Sequence, residues 1–385
     1  MTSLADLPIR DDLRGQTPYG APMDPVSVAL NVNENPHPVP EPVARHVIEE
    51  IARILPGLNR YPDREFTRLR EQLAAYLGHG LTKEHLWAAN GSNEVLQQLL
   101  QAFAGPGRRV LAFPPTYSMH PILTRGVGAE WVTAERDPGY EISPETAVEA
   151  IRRERPDVTF FCTPNNPTGT SVSNETIATA YDATEGIVIV DEAYAEFKDA
   201  GSETALDLLE GRPRLVVSRT MSKAFAFAGA RLGYFAADPA VADAVRLVRL
   251  PYHLSAITQA AASAALDHAP LMLEEVAAIR AERVRIEEAA RELGYRPVPS
   301  SSNFVLIEGF ADPHAMFGAM LARDVLIRDV GLPGALRVSA GTHQETTRFI
   351  EALRELTTPE TIAAAPTDAV MEPAGAPATD APAAN

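Results

Sequence analysis

The chain has 385 residues, enough for two domains or three and far more than a short peptide module needs. Hydrophobic residues make up 45% and charged residues 22%, ordinary globular usage that excludes a chain disordered or membrane-embedded throughout. Its 34 Lys and Arg face 51 Asp and Glu, and the net charge of −17 argues against nucleic acid or an anionic membrane as the main partner.

Residues 1–15 mix Asp6, Arg10, Asp11, Asp12 and Arg14 with apolar neighbours and so lack the continuous apolar core of a secretory signal. No run reaches the roughly 18 apolar residues of a membrane span, and a cytoplasmic location is expected. Residues 1–40 read as an N-terminal arm. From 41 to 255, short apolar runs alternate with helical patterns: a segment at 87–90, a helix at 94–104, and strands at 110–113, 158–162, 187–190 and 215–218. In the helix, Val95, Leu96, Leu99, Leu100 and Phe103 recur on one face. Continuous apolar strands suit a sheet buried on both sides, and their alternation with helices is the rhythm of a mostly parallel sheet. The strand at 158–162 carries the lone Cys162, which can form no internal disulfide and suits a reducing compartment.

A charged helix at 271–293 turns Val276, Ile279 and Ile286 to one side, and strands follow at 303–308 and 336–339. Residues 256–356 therefore read as a smaller α+β domain. Beyond it, 357–385 is rich in Ala, Pro and Thr without Lys or Arg, and reads as a disordered tail. Its Glu360, Asp368, Glu372 and Asp380 carry −4 of the −17 and leave −13 on the folded part.

Ligands of an open parallel sheet sit beyond the carboxyl ends of its strands, so the residues after each strand matter most. Gly91-Ser92-Asn93-Glu94 opens the first helix with small residues, either as an anion site or as an ordinary helix start. Thr163-Pro-Asn-Asn-Pro-Thr-Gly169 has the composition of a turn. Asp191 ends a buried strand and needs a cationic or strongly donating partner, which a structural salt bridge would also supply. Lys223 follows Thr220 and Ser222 and lies among Phe225, Phe227 and small residues. Apolar surroundings lower a lysine pKa, as a covalent amine catalyst requires. No third dinucleotide-binding glycine, Walker loop, paired zinc histidines or Gly-x-Ser-x-Gly elbow is present, and no metal site is expected.

Taken together, Asn166, Asp191, Tyr194, Lys223 and Arg231 resemble the cofactor constellation of fold type I pyridoxal-phosphate aminotransferases. Over residues 10–355 the chain is most similar to the histidinol-phosphate aminotransferase family of that group. Thr17-Pro-Tyr19, Leu30-Asn-Val-Asn-Glu-Asn-Pro36, Arg60-Tyr-Pro-Asp63, Pro115-Thr-Tyr117, the 163–169 turn, Asp191-Glu-Ala-Tyr194, Arg219-Thr-Met-Ser-Lys223 and Leu336-Arg337-Val-Ser-Ala-Gly341 carry the likeness. The resemblance implies an α/β fold with a mostly parallel central sheet flanked by helices and a smaller α+β domain.

It also implies pyridoxal 5'-phosphate, held covalently by Lys223, which then moves the substrate proton. Asp191 would pair with the ring nitrogen, Asn166 and Tyr194 with the ring oxygen, and Tyr117 would stack on the ring. Gly91, Ser92, Asn93, Thr220, Ser222 and Arg231 would cradle the phosphate, joined by Tyr61 from the second subunit of a homodimer with shared active sites. Arg337 and Arg328 would grip the substrate's anionic group, with Tyr19, Asn33 and Asn35 closing over it. The implied reaction is transamination of L-histidinol phosphate with 2-oxoglutarate in histidine biosynthesis. An aromatic amino acid aminotransferase, a threonine-phosphate decarboxylase and a non-enzymatic pyridoxal-phosphate-binding regulator are the alternatives.

Overall fold

The computed structural model describes residues 2–15 and 18–363. The arm adds a short strand, β1 (Val28–Ala29), before the first helices, α1 (Glu41–Ile54) and α2 (Thr67–Leu77). Strands and helices then alternate as β2 (Leu86–Ala89), α3 (Ser92–Phe103), β3 (Arg109–Ala112), α4 (Met119–Gly126), β4 (Glu130–Thr133) and α5 (Pro144–Glu154). The alternation continues through β5 (Val158–Cys162), α6 (Asn174–Asp182), β6 (Ile187–Asp191), β7 (Leu215–Thr220) and β8 (Gly233–Ala237). Three helices follow, α7 (Pro239–Val248), α8 (Ala256–Asp267) and α9 (Ala269–Glu292). The chain closes with β9 (Arg296–Pro297), β10 (Phe304–Glu308), α10 (Pro313–Leu321), β11 (Val325–Leu326), β12 (Arg328–Asp329), β13 (Ala335–Ser339) and α11 (His343–Leu356).

The seven-stranded sheet has the order β2-β8-β7-β6-β5-β3-β4, and β8 alone runs against its neighbours. Every residue of β5, β6 and β7 is buried, as their unbroken apolar sequences require. Their register lines up Cys162, Asp191 and Ser218, so the chemistry-bearing ends of three strands meet at one edge. Helix starts are written locally. Ser143, Ser173 and Ser255 each accept a backbone N–H in the first turn of α5, α6 and α8, and Thr342 and Glu345 form a reciprocal cap on α11. No side chain caps α3, which leaves its first N–H groups facing the sheet's functional edge.

The second sheet, β12-β13-β10-β9, is antiparallel, and β1 pairs in parallel with β11. The arm is thereby tied to the C-terminal region, a connection that local sequence patterns do not announce. The expected start of the tail needs correction, because order continues beyond α11 to Ala363. Ile362 bridges to Phe310 and its side chain packs against the core, while Ala363 N–H donates to Gly309 O at 2.7 Å, so backbone pairing and one apolar side chain hold an otherwise small and polar stretch. The rest of the expected tail lies outside the described residues. Among the described residues no helix is long and apolar enough to cross a membrane.

Candidate active site

A cleft opens at the carboxyl edge of β5, β6 and β7. Its walls include Tyr19, Asn33, Ser92, Asn93, Tyr117, Asn166, Asp191, Tyr194, Thr220, Ser222, Lys223, Arg231, Arg328 and Arg337. Residues separated by more than 300 positions thus meet in one cavity. Three expected residues stand apart from that lining. Gly91 lies behind Arg231, and a Cβ there would collide with the guanidinium, at a backbone φ of +88°. Asn35 does not line the cleft, contrary to the substrate role expected of it. Its Nδ2 donates to Ala224 O at 3.2 Å and its Oδ1 accepts His37 N–H at 2.9 Å, so both amide ends are committed to backbone. Tyr61 is 80% exposed and stacks on Tyr252, with ring centroids 4.5 Å apart, away from the cleft of its own chain.

Asp191 has the donating partners that its burial demands. His120 Nε2 lies 3.2 Å from Oδ2, and Ser218 Oγ donates to Oδ1 at 3.3 Å. His120 is fully buried, stacked on Phe160 at 4.4 Å and edge-on to Tyr117 at 5.5 Å. Sequence reasoning missed it because α4 carries no motif that announces a contact with β6. Its spacing of three residues from Tyr117 was the one available signal.

Lys223 Nζ donates to Val32 O at 3.1 Å. Burial, reinforced by the cations of Arg337 and Arg231, lowers its pKa to about 8 against the opposing pull of Glu34. Across the cleft, Tyr117 donates to Asn93 Oδ1 at 3.3 Å, and burial pushes its phenol up to about 12. Burial also pushes the Tyr194 phenol upward, so it stays protonated.

One end of the cleft is an anion cradle. Thr220 Oγ1 donates to Ser222 Oγ at 3.0 Å, Arg231 Nη1 reaches the same oxygen at 3.5 Å, and the uncapped start of α3 faces them. The other end holds two arginines. Arg337 Nη1 donates to Asn166 Oδ1 at 2.5 Å and Nη2 to Asn31 O at 2.6 Å, while Arg337 Nε and Arg328 Nη1 are buried donors without a partner among the described residues. Unsatisfied guanidinium N–H groups in a cleft fit an incoming anion. Burial and the neighbouring Arg328 bring the Arg337 pKa down to about 10.

An amine of lowered pKa, a buried carboxylate and an anion cradle form a donor set that fits a phosphorylated aldehyde with a basic ring nitrogen. Among the described residues no cluster of His, Cys, Asp and Glu could hold a metal ion.

Comparison with known proteins agrees with this chemistry. The family described as aminotransferase class I and II matches residues 26–353. The histidinol-phosphate aminotransferase of Paenarthrobacter aurescens (strain TC1) is 55% identical over 353 residues, covering 91% of this chain and 95% of that protein. The enzyme of the same name from Thermobifida fusca (strain YX) is 52% identical over 351 residues, covering 91% and 96%. Among solved structures, histidinol-phosphate aminotransferase from Sinorhizobium meliloti in complex with pyridoxal-5'-phosphate aligns with a TM-score of 0.76 at 26% identity, covering 86% of this chain and 92% of that one. The chain belongs to the aminotransferase class I and II family, in its histidinol-phosphate aminotransferase branch.

Proposed function

We propose that this chain is a pyridoxal-phosphate-dependent aminotransferase that converts L-histidinol phosphate and 2-oxoglutarate into 3-(imidazol-4-yl)-2-oxopropyl phosphate and L-glutamate, in histidine biosynthesis. Identity above 50% along nearly the whole length of two histidinol-phosphate aminotransferases carries this reading over the aromatic aminotransferase, the decarboxylase and the regulator. The cleft supports it through its chemistry. Lys223, Asp191, Asn166, Tyr194, Tyr117, Ser92, Asn93, Thr220, Ser222 and Arg231 are the residues that would hold the cofactor, with Gly91 leaving room for the Arg231 guanidinium.

When bound, pyridoxal phosphate supplies an electron sink for the charge that develops as a substrate proton leaves carbon. Asp191, itself oriented by His120 and Ser218, would pair with the ring nitrogen and keep it protonated. Lys223 Nζ would move the proton between the substrate carbon and the cofactor carbon, a task suited to an amine that titrates near working pH. Arg337 and Arg328 offer their free N–H groups to the phosphate of histidinol phosphate or to a carboxylate of glutamate. Asn33 and Tyr19 close that end.

The homodimer belongs to the same proposal. Tyr61 stacks on Tyr252, and Leu55, Leu58, Leu247 and Leu250, close to these two in sequence, are likewise exposed apolar side chains that a second copy would cover. Tyr61 would then reach the partner's phosphate cradle. The setting is proposed to be cytoplasmic.

The test is glutamate formation from histidinol phosphate and 2-oxoglutarate by the purified protein, with Lys223→Ala as the control. Normal turnover by that variant contradicts the mechanism. Mixing Lys223→Ala with Tyr61→Ala subunits tests the shared site, since only hybrid dimers would hold one intact centre. Absence of any recovered activity in the mixture counts against sharing.

A further inference from the structure

Ser339 lies at the end of β13, buried and outside the cleft lining. Its hydroxyl accepts the backbone N–H of Asn33 at 3.0 Å and stands 3.0 Å from Asn33 Oδ1. A backbone N–H can only donate. The Ser339 oxygen is therefore the acceptor in the first contact, and its own proton is left for Asn33 Oδ1. That fixes which way round the Asn33 amide sits, with Nδ2 donating to the Tyr194 hydroxyl at 3.0 Å. Asn33 is also held at a φ of +56°, and Asn303 Nδ2 grips its carbonyl at 3.1 Å.

A second amide arrives in the same sense. Arg337 can only donate, and it takes Asn166 Oδ1, which leaves Asn166 Nδ2 facing the Tyr194 hydroxyl at 3.5 Å. Two donors on the phenol oxygen leave its own proton with no partner among them. We propose that Ser339 is a positioning residue that sets the direction of this relay, so that the Tyr194 O–H is aimed into the cleft as a donor to the cofactor's ring oxygen. With the Asn33 amide reversed, its Oδ1 would capture the phenol proton and silence that donor.

The inference rests on the pyridoxal-phosphate reading of the cleft, and one spectroscopic experiment separates the two. The readout is the pH midpoint of the visible absorbance of the bound cofactor in the holoenzyme. A donor to the ring oxygen favours its anionic form; without the donor that oxygen is more basic, holds the shared proton more tightly, and the midpoint rises. Tyr194→Phe is expected to raise the midpoint, and Ser339→Ala to raise it by about half a pH unit or more. Ser339→Thr, which keeps the hydroxyl, returns it toward wild type. Ser339→Ala added to Tyr194→Phe produces no further rise, because both act through one proton. Ser339→Cys, similar in volume but a weak hydrogen-bonding group, serves if the alanine variant does not fold.

A Ser339→Ala midpoint equal to wild type while Tyr194→Phe shifts overturns the role of Ser339. So does a shift that adds fully to that of Tyr194→Phe. A Tyr194→Phe midpoint equal to wild type refutes the reading of the cleft at Tyr194, and the relay with it.

Discussion

Lys223 gives a prediction that can be worked through quantitatively in the apoprotein. Its pKa falls from 10.5 to about 8, chiefly because burial disfavours the ammonium, with Arg337 and Arg231 adding repulsion and Glu34 opposing them. At pH 7.5 a lysine of pKa 8 is about a quarter neutral, whereas one of pKa 10.5 is neutral in about one molecule per thousand. Well below both values the gain approaches 300-fold. Only the neutral amine attacks an aldehyde, so the capture of pyridoxal phosphate by apoprotein should rise with pH and level off above about 8.

Two charge changes move that break in opposite directions. Arg337→Gln removes a repelling cation, so the break moves up and capture slows at pH 7.5. Glu34→Gln removes an attracting anion, and the break moves down. Stopped-flow absorbance across pH 6–10.5 reads all three. A wild-type rate that keeps climbing to pH 10, or an Arg337→Gln profile superimposable on wild type, refutes the electrostatic account of Lys223.

Other consequences follow from single contacts. Asp191→Asn removes the anion at the floor of the cleft and should lower turnover by about 100-fold or more in steady-state assays, with folding intact by circular dichroism. Arg219 lies outside the cleft and donates to buried Glu192 through Nε at 3.1 Å and Nη2 at 2.7 Å. Arg219→Met leaves that carboxylate with Thr204 and Ala205 as donors but without its cation, and should cost about 3–5 kcal/mol in denaturant unfolding, while Glu192→Gln in the same background recovers part of the loss. Gly91→Ala, at a left-handed φ and against Arg231, should weaken cofactor affinity roughly tenfold with little change in fold, as fluorescence titration of the apoprotein would show.

What was legible in the sequence was what depends on short-range pattern. The apolar runs of β5, β6 and β7 announced a sheet buried on both faces, and the polar residues just beyond them had to stand at its carboxyl edge. Lys223, Asp191 and Asn166 follow such runs and stand at that edge for this reason, and the family resemblance implies their roles. Long-range contacts left weaker traces. His120 on α4 reaches Asp191 on β6 across 71 positions, and Ser339 reaches Asn33 because the arm folds back onto β13, a pairing of segments 306 positions apart. Asn35 shares the asparagine-rich arm with Asn33, yet its amide is spent on Ala224 and His37. Composition made the stretch after Leu356 look like a tail, but Ile362 bridges to Phe310 just beyond β10, and Thr361 and Ala363 share backbone hydrogen bonds with Ala311 and Gly309.

The most direct test of the functional account is the ratio of kcat/KM values for L-histidinol phosphate and L-phenylalanine, each with 2-oxoglutarate. The arginine pair and the close kinship with histidinol-phosphate aminotransferases predict a ratio well above one, with tyrosine on the weak side as well. A phenylalanine value equal to or above that for histidinol phosphate would contradict the assignment.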